Sequence, residues 1–126
     1  MWLLLFTFST VGLAQVADSS KAAITSLMCA GKWHIREVKN SEVTKQLSAG
    51  ERADSWIQFR ADGTFTAHEK DNPYTGTWTY DAASQSFTSN DPYGTQSHKI
   101  IKLTRTELIV SVSFQGAPAQ MRLVIE

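Results

Sequence analysis

A chain of 126 residues has room for one domain around one hydrophobic core and is too short for two. Charged residues make up 19% of it and apolar residues 42%, the profile of a packed domain and not of a disordered segment. Lys plus Arg and Asp plus Glu number 12 each, so there is no charge excess of the kind that draws a nucleic acid or an anionic membrane.

From Trp2 to Ala14 the chain carries no charge and is rich in Leu, Phe, Val and Thr; at Gln15-Val16-Ala17-Asp18 it turns polar. This reads as a secretory signal peptide, residues 1–14, although no basic residue precedes the apolar stretch. The stretch is shorter than the roughly 20 residues that a membrane-spanning helix needs, and Gly12-Leu13-Ala14 supplies small residues for cleavage after Ala14. The expectation is an exported protein, periplasmic or secreted, with no transmembrane span once the signal is removed. Cys29 is the only cysteine, so no internal disulfide can form and the core must stabilise the fold alone. It stands too far beyond the apolar run to be a lipid attachment point, and reads as a small apolar side chain ending a helical turn.

Within residues 15–30, Ala22, Ala23, Ile24, Leu27 and Met28 recur at helical spacing behind Ser19 and Ser20, which predicts one short amphipathic helix. From Gly31 to the end, residues 31–126 show short alternating runs of Trp, Ile, Val, Thr, Phe and Tyr between Gly, Asp, Asn, Pro and Ser clusters. Trp33, Ile35 and Val38 mark a first strand, and residues 40–54 read as a long loop. Ile57 and Phe59 turn through Ala61-Asp62-Gly63 into Thr64-Phe65-Thr66-Ala67 as a hairpin. Asp71-Asn72-Pro73 reads as a break, after which Gly76–Tyr80 and Ser86–Thr88 form a second hairpin around Asp81–Ser84. Beyond the turn at Asn90–Gly94, His98–Leu103, Glu107–Phe114 and Ala119–Ile125 each fit one strand.

The predicted fold is therefore all-β: an antiparallel meander of about eight strands, closed into a small barrel or stacked as a sandwich, behind a short N-terminal helix. An eight-stranded barrel has an interior that is either filled by side chains or just able to hold one small ligand.

Four segments carry a resemblance: Gly31-Lys32-Trp33 after a short helix, Phe59-Arg60-Ala61-Asp62-Gly63-Thr64-Phe65, Gly76-Thr77-Trp78-Thr79-Tyr80, and Lys102–Leu108. Together they resemble the lipocalin-like domain family of small secreted bacterial proteins, over Leu27–Ile125. The resemblance implies a lipocalin-like barrel in which Trp33 packs across the closed end against a basic side chain from the last strands. Arg122 is the candidate, stacking its guanidinium on the indole; both residues would then be structural and not ligand contacts.

The sequence offers little for catalysis. His34, His68 and His98 lie far apart without metal-ligand spacing, and there is no Gly-x-Ser-x-Gly elbow, phosphate-cradling glycine loop or His-Glu-x-x-His. His34 and His68 alternate with apolar neighbours and are expected to face solvent. Acidic pairs such as Glu69 with Asp71, or Glu51 with Asp54, read as solvated loop residues. The expectation is a protein that is not an enzyme and that needs no cofactor and no metal.

Aromatics are the feature suited to binding. Phe59, Phe65, Trp78, Tyr80, Val110, Val112 and Leu123 are the candidate lining of a site for a small hydrophobic ligand, with plain core packing as the alternative role. Trp56 falls on the outward register, covered by the helix or the long loop or serving as an anchor. The competing function is an interaction or inhibitor module with a filled barrel, acting through residues 40–54 and 90–96 on another envelope or secreted protein. A continuous void of about 300 Å³ or more separates the two, favouring the binder.

Overall fold

The computed structural model describes residues 20–114 and 116–126, so the expected signal segment and its cleavage point lie outside the described residues. Helix α1 covers Lys21–Met28, with the Ser20 hydroxyl accepting a hydrogen bond from the Ala23 N–H as its cap. Ile24 and Met28, four residues apart, are fully buried from this helix.

Nine strands follow: β1 (Lys32–Lys39), β2 (Thr44–Gln46), β3 (Ser55–Phe59), β4 (Thr64–Glu69), β5 (Asn72–Asp81), β6 (Ser86–Asp91), β7 (Gly94–Leu103), β8 (Glu107–Phe114) and β9 (Ala117–Ile125). Each of β3 to β8 pairs antiparallel with its successor, and β1 pairs antiparallel with both β3 and β9, which closes an eight-stranded barrel. Closure removes the free sheet edges that an open meander of this length would present. The predicted all-β barrel with its short N-terminal helix is the observed fold.

Residues 40–54, expected as a loop, instead hold β2 and a short helix α2 (Ala49–Ala53). The cause is local: Ser48 and Glu51 form a reciprocal capping box that starts α2. Strand β1 pairs with β3 only through Lys32–His34, and β2 takes over beside Glu37–Lys39. The expected break at Asp71–Pro73 is also shorter than the sequence suggests, since β5 begins at Asn72. Pro73 is tolerated there because β6 joins β5 only from Thr77 onward, so the missing N–H interrupts no ladder on that side.

One end of the barrel is shut by α1. Trp33, fully buried, donates its indole Nε1–H to the Met28 carbonyl at 2.8 Å. Around this floor lie Ile24, Met28, Trp78, Tyr80, Leu103 and Leu108, all buried. The opposite end is where β4 and β6 finish and β5 and β7 begin, and it is there that the interior opens.

Candidate functional site

The strand registers direct Ile35, Ile57, Phe59, Phe65, Tyr74, Phe87, His98, Val110, Val112, Met121 and Leu123 inward, where they line a cavity of about 570 Å³. One wall is a continuous run of rings. Trp78 meets Phe59 edge-on at 5.1 Å, and Phe59 meets Phe87 at 5.5 Å and Phe65 at 6.2 Å between ring centroids. The run continues from Phe65 to Tyr74 at 6.3 Å and from Tyr74 to Tyr93 at 5.1 Å, both edge-to-face. Edge-to-face pairs are a favoured arrangement of aromatic quadrupoles, so this wall is ordered by its own packing. The facing wall, from β8 and β9, is aliphatic.

Of the seven candidate lining residues, Phe59, Phe65, Val110, Val112 and Leu123 border the cavity. Trp78 and Tyr80 do not. They lie lower, in the buried floor, where Trp78 donates its Nε1–H to the Arg60 carbonyl at 2.9 Å. Trp33 is in the floor, but Arg122 is not its partner. Arg122 ion-pairs with Glu107, to which Lys102 also binds at 2.7 Å. Leu123 turns inward from β9, so its neighbour Arg122 projects from the other face of the strand. The cation over an indole is Lys32, whose ammonium lies 4.3 Å from the centroid of the Trp56 ring.

Trp56 stands on the opposite face of β3 from Ile57 and Phe59 and stacks nearly parallel on His68, 5.7 Å away. His34 and His68, expected to face solvent, are half-buried, and each holds a backbone carbonyl through Nδ1: Arg52 at 2.5 Å and Asp54 at 3.1 Å. His98 does the same with the Ser111 carbonyl at 2.8 Å. A carbonyl can only accept, so Nδ1 carries the proton in all three rings and each Nε2 is the free acceptor of the neutral form. No group of three or more His, Cys, Asp or Glu among the described residues is placed to hold a metal ion.

At the open end the lining turns polar. Glu69, Asp91, Gln96 and Ser113 stand around the mouth with Tyr74 and Tyr93. Asp91 accepts from the Tyr93 N–H at 2.7 Å, and the Tyr93 hydroxyl is bonded by the Asn72 side chain, so the β6–β7 turn is fastened over the start of β5. Burial, and then the neighbouring Glu69, Asp91 and Tyr93, push the Tyr74 hydroxyl up to about 12. Ser89 is 8% exposed, the single buried polar side chain among the described residues, and its hydroxyl borders the cavity without a hydrogen-bond partner among them.

Beside the mouth, β7 and β8 pair only from Ile100–Val110 downward, and a register shift follows between Ile100 and Lys102. Above that point the two strands are joined by the His98–Ser111 bond and by the Lys99 N–H donating to the Ser111 hydroxyl at 2.9 Å.

Sequence reasoning missed Tyr74, Tyr93, Ser89 and His98. His98 was within reach, since it stands two residues before Ile100 on one strand and shares its face. Tyr74 and Tyr93 sit beside Pro73 and Pro92, which read as breaks.

A closed eight-stranded antiparallel barrel, plugged by a helix at one end and hollow toward the other, defines the class of the fold. The chain belongs to the lipocalin-like domain family, whose pattern it matches over residues 30–110. A crystal structure of a lipocalin-like protein from Bacteroides uniformis superposes with a TM-score of 0.60 at 15% identity, covering 78% of this chain and 98% of that one. A DUF4847-family protein from Bacteroides vulgatus does so with a TM-score of 0.60 at 14% identity, over 82% of this chain and 97% of the other. At such identities the likeness is one of fold. No curated protein matches the chain.

Proposed function

We propose that this is an exported binding protein, and not an enzyme, that carries a small hydrophobic molecule inside its barrel. The observation that carries the reading is the 570 Å³ cavity walled by rings and branched aliphatics and open at one end. Its size falls within the range of small-molecule pockets, and its few polar groups are gathered at the mouth, where they would orient a ligand whose apolar body is buried. Burial of apolar surface at about 25 cal/mol per Å² supplies the affinity. The same volume weighs against a filled-barrel interaction module. Export rests on the uncharged segment ahead of Gln15.

The test is binding of the neutral probe N-phenyl-1-naphthylamine, read by its fluorescence, to the wild-type protein and to Val112→Trp. Val112 is half-buried on the aliphatic wall, so an indole there fills cavity space at modest cost to the fold. Saturable binding that Val112→Trp abolishes, with its thermal transition retained, supports the reading. A wild-type protein that binds neither the probe nor any extractable apolar compound on native mass spectrometry sinks it. Export is checked separately, by N-terminal sequencing of the protein from the envelope or medium of its cells; a new terminus at Gln15 is expected.

A further inference from the structure

We infer that the mouth of the barrel selects a cationic amphiphile, an apolar body bearing an amine or other organic cation, and discriminates against carboxylate lipids of the same length. This rests on the pocket reading above and names the chemical class of its ligand.

The charges around the cavity are of one sign. Glu69 and Asp91 border it, and no Lys or Arg does. The basic residues adjacent in sequence to lining positions do not turn toward the cavity: Arg36, Lys39, Arg60, Lys70 and Lys99 are exposed, and Arg122 is ion-paired with Glu107 on the other face of β9. Neither Glu69 nor Asp91 takes part in an ion pair among the described residues, so both are available to a cationic head. A carboxylate head would meet two like charges and no counter-ion.

Between the two carboxylates stand rings. Tyr74 and Tyr93 meet edge-to-face at 5.1 Å, and the negative faces of phenol rings attract ammonium groups. Recognition of alkylammonium ions by aromatic rings with nearby carboxylates follows from those two attractions alone. Ser89 gives independent support: the residue is more than nine-tenths buried and borders the cavity, and its side chain bonds no other described residue. No buried side-chain oxygen among the described residues lacks a partner, so the Ser89 hydroxyl keeps access to the cavity space, where an N–H or O–H of a ligand reaching past the mouth would bond it.

The experiment displaces N-phenyl-1-naphthylamine with decylamine, decanol and decanoate, which share one chain length and differ in the head. Decylamine is expected to displace the probe at about one-tenth the concentration that decanoate requires, with decanol between them. In Glu69→Gln/Asp91→Asn the preference for amine over decanoate should fall severalfold while decanol is unaffected, since both changes sit at the rim and leave the walls intact. If that variant fails to fold, the wild-type protein decides: raising salt should erode the amine preference and leave decanol unchanged. Decanoate binding as well as decylamine, or a preference that neither the variant nor salt reduces, overturns the inference while probe binding keeps the pocket reading standing. Absence of probe binding overturns both.

Discussion

The indole of Trp33 and the carbonyl of Met28 are joined by a 2.8 Å hydrogen bond at a point where both residues are fully buried. The bond ties the last turn of α1 to the first strand, which pairs with three others, and so holds the plug in the closed end of the barrel. Met28 O is one of the terminal helix carbonyls that need a partner from outside the helix.

Trp33→Phe should therefore cost more than its lost volume. It removes the donor, leaves a buried carbonyl without that partner and opens space beside Ile24, for an expected loss of about 2–4 kcal/mol. Chemical denaturation measures it, and hydrogen exchange should show the α1 amides losing protection before those of β4. A loss below about 0.5 kcal/mol, within the scatter of neutral substitutions, would mean that the plug is not held by this contact.

Gly76 is a second test of packing at the aromatic wall. A Cβ there would lie 2.4 Å from the Asn90 carbonyl oxygen and 2.7 Å from the Phe65 ring, so the glycine is what lets Phe65 lie flat against β5. Gly76→Ala must push either backbone or ring aside and should destabilise by about 1–3 kcal/mol. Gly50→Ala, in α2 with nothing within 4 Å of the new atom, should be neutral or stabilising by up to about 1 kcal/mol. Equal melting temperatures for the two variants would contradict this account.

How far the sequence could be read is visible in this same region. The hairpin of β3 and β4 was legible because Ile57, Phe59, Phe65 and Ala67 alternate cleanly around Asp62-Gly63, with Gly63 at a φ of 89° as such turns require. Strand β1 was harder: a register shift between Ile35 and Glu37 restores Val38 to the interior, and strict alternation would have placed Glu37 there. The mouth was hidden for another reason. Tyr74 follows a proline that is harmless only because β6 stops short of it, a fact of sheet stagger that no local pattern carries. Arg122 was assigned to Trp33 by resemblance, whereas the neighbour that decides its position, Glu107, lies on the adjoining strand β8.

Glu107 makes a prediction in acid. Its carboxylate takes hydrogen bonds from Lys102 and then Arg122, and these hold its pKa below the ordinary value of 4.5. A carboxyl whose folded pKa is depressed adds stability above its unfolded pKa and loses it as pH falls through the folded one. The contribution of Glu107 is thus complete at neutral pH and declines below about 4.5. Lys102 and Arg122 are more than a third exposed, so solvent screening limits the effect to roughly 1 kcal/mol or less. Glu107→Gln should lower the melting temperature slightly at pH 7 and match the wild type at low pH; an equal deficit at both would show that charge is not the cause.

Tyr74 gives the matching prediction in alkali, and it reports on the mouth itself. Burial is the main reason its hydroxyl is pushed up to about 12, with Glu69 and Asp91 adding repulsion of the phenolate. In the unfolded chain the same group ionises near pH 10, so between about 10 and 12 the unfolded state gives up a proton that the folded state keeps. Stability that is full below pH 10 should therefore fall across this interval. Spectroscopic titration of tyrosinate should show one late step that Tyr74→Phe removes and that Glu69→Gln moves down only partly, because desolvation persists. Tyr74→Phe should also flatten the decline of melting temperature above pH 10. If Tyr74 instead titrates with freely exposed phenols, its ring is solvated, and the aromatic wall ends below the mouth.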